Sequence, residues 1–225
     1  MLDVGCGTGT TTACAAWEVG PPRARDGYRR GRQPLVALAR RLHADIPNAA
    51  FVVGDAAHYP YAPGSFDAVI SRNGMMLFEE PARAFAHVRR AIRAGGRLAF
   101  ATWAEAEANA WSTVPQAAVE AHVHSPGGSR GGGEPCAFSL ADPGNVHRLL
   151  AAAGFTEVGM RRVDTRVWVG SDVSDVLAFF ERSVSLTTDA MSRVRATLRV
   201  SLAQYAEPDG VRLPAAAWIV TARVA

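Results

Sequence analysis

The sequence predicts an α/β protein whose central sheet is mainly parallel. Short apolar segments typical of buried strands alternate along the chain with segments that have the spacing of amphipathic helices. The first apolar segment, residues 1–4, runs directly into a glycine-rich loop at residues 5–9, and a helical pattern follows at residues 10–19. A strand, a glycine loop and a helix in this order open a parallel βαβ unit. Ligands of such sheets bind beyond the carboxyl ends of the strands, so this loop is the first candidate site.

The later elements continue the alternation. Pro34 suits the first turn of a helix whose apolar residues recur at a spacing of three or four. Turn residues precede the next strand at residues 66–71, and Gly95 and Gly96 end the helix before the strand at residues 97–103. The remaining predicted strands lie at residues 50–53, within 155–168 and at 216–224. The predicted helices lie at residues 34–44, 81–93, 105–123, 142–153, 173–185 and 189–205.

The composition excludes several classes of protein. A chain of 225 residues with 48% apolar and 20% charged residues can bury a full core, which argues against disorder. No run of about 18 apolar residues predicts a membrane span, and no secretory signal opens the chain, so we expect a cytoplasmic protein. Cys6, Cys14 and Cys136 have neither zinc spacing nor a disulfide pattern, and we predict no metal site. The net charge of +3 is too weak to predict a nucleic-acid partner.

The spacing of the glycines indicates the class of ligand. Gly5, Gly7 and Gly9 form G-x-G-x-G, whereas a dinucleotide site needs G-x-G-x-x-G, and Thr10 stands where that third glycine would be. Asp3, two residues before the loop, would repel a pyrophosphate but attract an ammonium group. The loop therefore predicts a cationic ligand that carries an amino acid. A motif this short is also found in ordinary strand–helix turns, which is the alternative interpretation.

Four stretches of the sequence share a wider pattern. LDVGCGTGTTT resembles motif I of the class I S-adenosylmethionine-dependent methyltransferases. Residues 54–56 resemble the family's adenine-contacting acidic motif, residues 65–71 its fourth strand, and residues 93–98 its R-P-G-G-x-L turn, with alanine where proline is usual. The segment SRNGMMLFEEPARAFAHVRRAIRAGG is similar to the branch related to the ubiquinone- and menaquinone-biosynthesis methyltransferases. The resemblance covers most of residues 1–103 and continues more weakly to 165.

The resemblance implies a fold and a reaction. It implies a Rossmann-like, doubly wound, seven-stranded and mainly parallel sheet in the order 3-2-1-4-5-7-6, with the last strand antiparallel. It also implies a single domain over residues 1–225, in which a variable segment at 104–140 lies on the acceptor side. The implied cofactor is S-adenosyl-L-methionine, and the implied reaction moves its methyl group to a small-molecule acceptor by in-line displacement.

The resemblance also assigns cofactor-binding residues, whereas it assigns no catalytic residue. Asp3 would lie near the cofactor's ammonium group, and Asp55 would accept from the exocyclic amine of adenine with Ala56 beside the ring. Ser71 and Arg72 would face the sulfonium. The implied cofactor-binding residues are Asp3, Gly5, Cys6, Gly7, Thr8, Gly9, Asp55, Ala56, Ser71 and Arg72.

The sequence departs from the family in two places. The chain begins inside the first strand, which implies a truncated strand or a misassigned start. Residues 20–33 read GPPRARDGYRRGRQ, and two prolines and five arginines predict that the buried second strand is disrupted. Position 29, where an acid should hold the ribose, is arginine. A frame shifted by one base over residues 25–30 can read Val-Thr-Gly-Ile-Asp-Val, which would supply both the second strand and the acid that holds the ribose. The alternative is a true basic loop in which Asp26 reaches the ribose.

The chemistry beyond the cofactor stays open in the sequence. His58, His87, His122, His124 and His147 are candidate general bases by residue type alone. A non-catalytic relative of the methyltransferases is one alternative function. A nicotinamide-dependent oxidoreductase is another, but the glycine spacing and the absence of any lysine for a Tyr-x-x-x-Lys pair disfavour it.

Overall fold

The computed structural model describes residues 1–19, 27–29, 33–123 and 137–225. The strands are β1 (Leu2–Val4), β2 (Gly27–Arg29), β3 (Phe51–Val53), β4 (Phe66–Arg72), β5 (Ile92–Trp103), β6 (Phe155–Gly170), β7 (Ala206–Glu207) and β8 (Gly210–Val224). The helices are α1 (Thr10–Val19), α2 (Gln33–Leu42), α3 (Pro81–Ala91), α4 (Ala110–Glu120), α5 (Pro143–Ala152), α6 (Val173–Ser183) and α7 (Thr188–Ala203). Short 3₁₀ helices occupy Met75–Leu77 and Ala106–Ala108.

The strands form one sheet in the order β3-β2-β1-β4-β5-β8-β6, and the two-residue strand β7 pairs with β8 outside this path. The pairs from β3 through β5 are parallel, whereas β7 and β8 are antiparallel. The α/β fold with a mainly parallel sheet is thus confirmed. The family order counts seven strands, so its seventh strand corresponds to β8 here, because β7 is counted separately.

The second strand, which the sequence predicts to be disrupted, is present, and that prediction is wrong. In β2, Gly27 pairs with Asp3 of β1 and with Phe51 of β3, and Arg29 pairs with Val53. A parallel ladder is held by backbone N–H and C=O groups, and none of the three residues of β2 is a proline that would remove a donor. The rest of the expected disruption, residues 20–26 and 30–32, lies outside the described residues, and the reading-frame hypothesis stays a prediction.

Contacts within the chain define two compact units. The first unit comprises Met1–Trp103, Pro135–Arg162 and Trp218–Ala225, and the second comprises Ala104–Glu134 and Val163–Ala217. The sequence predicts one domain with a variable segment at residues 104–140. Within that segment, the described residues 104–123 group with the second unit and the described residues 137–140 with the first.

The core of the first unit fixes the strand that precedes the glycine loop. All three residues of β1 are buried, which is typical of a parallel strand covered on both faces. Phe85 of α3 is fully buried, and its ring lies 5.7 Å from that of Phe100 on β5 and 6.0 Å from that of Phe78. Burying side chains of this size stabilises the fold by about 1.5–3 kcal/mol each. The carboxyl end of β1 is therefore held by a packed core.

The second unit has its own core. Val194, Leu198 and Leu202 recur every four residues along α7 and are buried with Leu177 of α6. The fully buried side chain of Asn109 donates from Nδ2 to the backbone carbonyls of Ala104, Glu105 and Ala216, and its Oδ1 accepts from the N–H of Ala216 and from the indole of Trp111. Every polar atom of that amide is thus satisfied, as a buried amide requires.

Across the described ranges, no helix combines the length and the apolar character that crossing a membrane would need.

Candidate functional site

The glycine loop leaves β1 at Val4 and enters α1 at Thr10. Gly5, Gly7 and Gly9 have φ values of +80°, +62° and +89°, which are conformations that side chains with a Cβ rarely adopt. A Cβ on Gly7 would have no atom of the described residues within 4 Å, whereas one on Gly5 would lie 2.7 Å from the Cα of Gly74. The loop is therefore packed against a neighbouring segment at Gly5 and open at Gly7.

Asp3 lies in β1 just before this loop and is only 2% exposed. Its Oδ2 accepts a hydrogen bond of 2.7 Å from the hydroxyl of Thr12. Its Oδ1 is buried and has no partner among the residues that the structure describes. Burial raises the pKa of Asp3 to about 6, although the Thr12 hydrogen bond and the charge of Arg72 act to lower it. A buried acceptor without a donor is costly, so this atom suits a ligand that brings a cationic donor.

Asp55 and Ala56 follow β3 and have different surroundings. Asp55 Oδ1 accepts from the N–H of Ala57 at 3.0 Å, and its Oδ2 lies 2.9 Å from Nδ1 of His58. Its carboxylate therefore caps its own turn and forms a pair with His58. Ala56 is buried and lines one cavity with Gly5. The full lining of that cavity is Val4, Gly5, Ala56, Asn73, Gly74, Leu77 and Phe78. Gly5 of the glycine loop and Ala56 of the acidic motif thus line a common cavity, whereas Asp55 lines a different one with Ala57 and His58.

Ser71 and Arg72 end β4 on opposite faces of the sheet. In the register, Asp3 pairs with Ile70, so strand alternation places Asp3 on the face that carries Arg72. Ser71 is 4% exposed, and its hydroxyl has no partner among the described residues. A Cβ on Gly74 would lie 2.9 Å from Oγ of Ser71. Ser71 therefore lies under the Asn73–Gly74 turn, whereas Arg72 is exposed on the side of Asp3.

Cys6 and Thr8 contribute their backbones to the loop. The Cys6 side chain is buried with Val36, Ala39 and Phe51, in a small core formed by α2 and β3. The carbonyl oxygen of Cys6 accepts from the N–H of Gly9 at 2.9 Å, which closes the loop. The thiol packed in this core anchors the loop.

His43 is a site residue that sequence reasoning missed. Its Nε2 lies 3.0 Å from the carbonyl oxygen of Thr8, and its ring stacks on Phe51 with centroids 5.8 Å apart. A Cβ on Gly9 would lie 2.6 Å from Cδ2 of His43. No motif marks His43, because it follows the last apolar position of α2. Gly74 was missed too, although an Asn-Gly pair after a strand is a turn signal.

The histidines proposed as general bases are not brought together. His147 is exposed on α5, and His124 lies outside the described residues. The others have partners: His58 pairs with Asp55, His87 Nε2 lies 2.6 Å from the Tyr59 carbonyl oxygen, and His122 Nε2 lies 2.7 Å from the Thr197 hydroxyl. The geometry therefore singles out none of them as a catalytic base.

Comparison with known proteins identifies the family. Residues 2–100 match the family described as "Methyltransferase domain". A malonyl-[acyl-carrier protein] O-methyltransferase of Methylococcus capsulatus is 30% identical over 235 residues, which cover 99% of this chain and 74% of the relative. A demethylmenaquinone methyltransferase of Beutenbergia cavernae is 35% identical over 121 residues, which cover 54% of this chain and 44% of the relative. A 37.1 kDa protein in a transposon of Streptomyces fradiae is 35% identical, and the chain spans only 28% of its length.

Solved structures share the fold. The YcgJ protein of Bacillus subtilis has a TM-score of 0.66 at 13% identity, with 100% of this chain and 91% of that chain covered. The phosphoethanolamine N-methyltransferase 2 of Haemonchus contortus, solved in complex with S-adenosyl-L-methionine, has a TM-score of 0.59 at 16% identity, with 100% of this chain and 48% of that chain covered.

Three features together define a ligand-binding α/β protein: a glycine loop that is open at Gly7, a buried acid just before that loop, and a cavity at the carboxyl ends of the parallel strands β1 and β4. The comparisons make the class specific: the chain belongs to the class I S-adenosylmethionine-dependent methyltransferases, and is related to the quinone-biosynthesis branch. S-adenosylmethionine is the cofactor of this family. The residues present fit it, because the unpartnered Oδ1 of Asp3 can accept from an ammonium group and the backbone at Gly7 is open.

Proposed function

We propose that this chain transfers the methyl group of S-adenosylmethionine to a small-molecule acceptor. The observation that carries the proposal is the unpartnered Oδ1 of Asp3, buried at the carboxyl end of β1 beside the open backbone of Gly7. A buried anion with one free acceptor atom is the complement of an amino-acid ammonium group. A nicotinamide dinucleotide would instead bring a pyrophosphate to this acid, which the charge of Asp3 opposes.

In this proposal, different residues contact different parts of the cofactor. Asp3 accepts from the ammonium group, and the loop from Gly5 to Gly9 borders the methionine part, with Cys6 and Thr8 acting through their backbones. At the adenine end, Ala56 provides a buried apolar contact in the cavity that it shares with Gly5. Asp55 directly precedes Ala56 in the chain, but its side chain lines a second cavity with Ala57 and His58. Its carboxylate can accept from the exocyclic amine if it gives up part of its pairing with His58.

In the proposed reaction, the main contribution of the protein is to position the cofactor and the acceptor. The cofactor, when bound, supplies a methyl group on a sulfonium that a nucleophile displaces in line. The chain's own residues orient the two reactants and exclude water, because holding reactants in line removes much of the entropic barrier. Ser71 and Arg72 leave β4 at the edge where the reacting groups would meet, with Ser71 held beneath Gly74. Neither has a proton-transfer role in this proposal.

A small molecule is the acceptor that the proposal favours over a nucleic acid. The net charge of +3 is low, and a nucleic-acid surface needs clustered basic residues. Two of the relatives whose names state an acceptor suggest chemistries to test: O-methylation of a malonyl thioester and methylation of demethylmenaquinone.

The proposal is tested by calorimetric titration of the full chain with S-adenosylhomocysteine, and separately with NADH. We expect one site for S-adenosylhomocysteine and none for NADH. Asp3→Asn should weaken binding at least tenfold, because the ammonium group loses a charged acceptor. Asp189→Asn is the matched control, since Asp189 is an exposed acid that pairs only at the surface with Arg193.

The results that would reject the proposal are distinct. Absence of S-adenosylhomocysteine binding by the folded chain would favour the non-catalytic alternative, and binding of NADH would favour the oxidoreductase. Transfer of a labelled methyl group from S-adenosylmethionine is then measured with a malonyl thioester and with a demethylmenaquinone analogue as acceptors. Transfer to either one identifies the acceptor class.

A further inference from the structure

Thr12 is the described residue whose side chain holds Asp3. It lies in the first turn of α1 and is 6% exposed, so water does not reach its hydroxyl freely. Its Oγ1 donates to Oδ2 of Asp3 at 2.7 Å, a distance typical of a strong hydrogen bond to a charged acceptor. The bond is buried at both ends and joins the helix to the strand across the glycine loop.

This hydrogen bond fixes which carboxylate oxygen stays free. A carboxylate can turn about its last side-chain bond and exchange its two oxygens. A half-turn only interchanges two equivalent oxygens, whereas any intermediate orientation breaks the bond to Thr12, so the bond fixes the plane of the carboxylate and leaves one oxygen without a described partner. Oδ1 is therefore presented in one orientation, as the acceptor that a ligand would meet.

The same bond favours the ionised form of Asp3. A donor hydrogen-bonded to a carboxylate stabilises its charge, whereas burial opposes that charge. Arg72, on the adjacent strand β4, is the charged residue whose field also favours the ionised form. An ammonium group binds an ionised carboxylate much more tightly than a protonated one, so Thr12 affects both the orientation and the charge of the acceptor.

We propose that Thr12 is a positioning residue for the cofactor: its hydroxyl holds Oδ2 of Asp3 so that Oδ1 is left to accept from the ammonium group. The inference rests on the proposed function, in which Asp3 binds that group. It extends the site from the loop into α1, to a residue that makes no contact with the cofactor itself.

Two variants and two ligands test the proposal. Thr12→Val keeps the shape of the side chain and removes the hydroxyl, whereas Thr12→Ser keeps the hydroxyl. S-adenosylhomocysteine carries the ammonium group, and 5′-methylthioadenosine has the same nucleoside but lacks the amino acid. Calorimetric affinities for both ligands are measured from about pH 5 to about pH 8.

A selective effect is the expected result. Thr12→Val should weaken binding of S-adenosylhomocysteine by about tenfold or more and that of 5′-methylthioadenosine by less than about twofold. Thr12→Ser should restore most of the affinity. The pH below which S-adenosylhomocysteine binding weakens should move upward in Thr12→Val, since Asp3 loses a donor that favours its charge. If Thr12 had a merely structural role, its replacement would not change the pH below which S-adenosylhomocysteine binding weakens.

An equal loss for both ligands, or a Thr12→Ser protein as weak as Thr12→Val, would overturn the proposal. If Thr12→Val folds poorly, the same change is made in Asp3→Asn, where no buried charge is present. There Thr12→Val should cause no further loss of S-adenosylhomocysteine affinity, and an additive loss would also overturn the proposal. A parent chain that binds 5′-methylthioadenosine but not S-adenosylhomocysteine would reject the assignment of Asp3 in the proposed function itself.

Discussion

His43 supports the glycine loop through Thr8, from 35 positions further along the chain. Nε2 of His43 lies 3.0 Å from the Thr8 carbonyl oxygen, and the imidazole stacks on Phe51 of β3. The ring also covers Gly9, where a Cβ would clash with it. The loop conformation is thus supported from outside the βαβ unit that contains it.

Replacing His43 should weaken cofactor binding without unfolding the chain. His43→Phe keeps the ring on Phe51 but removes the donor to Thr8, so we expect the affinity for S-adenosylhomocysteine to fall about three- to tenfold, in keeping with one lost hydrogen bond. His43→Gln, which can still donate, should lose less. Calorimetry gives the affinities, and a thermal melt checks the fold. If His43→Phe binds as tightly as the parent, the support of Thr8 is not needed for binding.

When no cofactor is bound, the ionised carboxylate of Asp3 should destabilise the folded chain at neutral pH. Its pKa is raised to about 6 in the folded chain from the ordinary value of 3.8. Between these two pH values the folded state therefore binds more protons than the unfolded state. The stability that the protonated Asp3 contributes is fully present below pH 3.8 and is lost as pH rises through about 6. The full difference is on the order of 3 kcal/mol. Asp3→Asn should remove this pH dependence.

Urea denaturation at about pH 4 and about pH 8 measures the effect. We expect the free energy of unfolding of Asp3→Asn to exceed that of the parent at the higher pH and to be close to it at the lower pH. Asp189→Asn, at an exposed acid, should follow the parent at both. If the parent is as stable as Asp3→Asn at the higher pH, the result would contradict the burial of a charged carboxylate in the folded chain.

Gly74 is expected to tolerate no side chain. A Cβ there would lie 2.5 Å from the carbonyl oxygen of Val4 and 2.9 Å from the Cα of Gly5, both of which are backbone atoms that cannot turn aside. Gly74→Ala should lower the free energy of unfolding by about 1–3 kcal/mol, as overpacking does, and weaken cofactor binding because the loop is displaced. Gly144→Ala is the control, since its nearest atom would lie at 3.4 Å. Equal stability of the two variants would contradict the close approach of Gly74.

Arg29 occupies the position at which the family pattern places an acid. Its backbone pairs with Val53, so it ends β2 at the same edge of the sheet as the glycine loop. Arg29→Asp should strengthen S-adenosylhomocysteine binding several-fold, because a carboxylate can accept from both ribose hydroxyls and a guanidinium cannot accept at all. Arg41→Asp, at an exposed arginine of α2, makes the same change of charge and should have little effect.

Resequencing the gene over codons 20–34 tests the related reading-frame hypothesis. Codons that confirm the present residues would reject it, and Arg29 would then be a genuine substitution in this chain. Weaker binding by Arg29→Asp than by the parent would show that the ribose is held differently here.

Much of the fold could be predicted from the sequence because its signals are local. The glycine loop, the Pro81 start of α3 and the Asp142 cap of α5 each depend on residues within one turn. Prediction failed for β2 because three residues can complete a parallel ladder through their backbones, whatever their side chains suggest.

The candidate site was predictable only where a motif marks it. Asp3, Gly5 and Ala56 are named by the sequence pattern, and Gly5 and Ala56 line one cavity in the structure. The contact of His43 with Thr8 and that of Gly5 with Gly74 join segments far apart in the chain, and no spacing rule connects them. The same holds for the division of residues 104–140 between the two units, which depends on contacts made elsewhere.

The pH dependence of S-adenosylhomocysteine binding tests most directly whether Asp3 holds the ammonium group of the cofactor. Because only the ionised carboxylate attracts that group, the affinity of the parent should be constant above about pH 7 and fall toward tenfold per pH unit below the Asp3 pKa of about 6. Asp3→Asn should bind weakly at every pH and show no such fall. An affinity that is the same at about pH 5 and about pH 8, or a fall that persists unchanged in Asp3→Asn, would contradict the assignment.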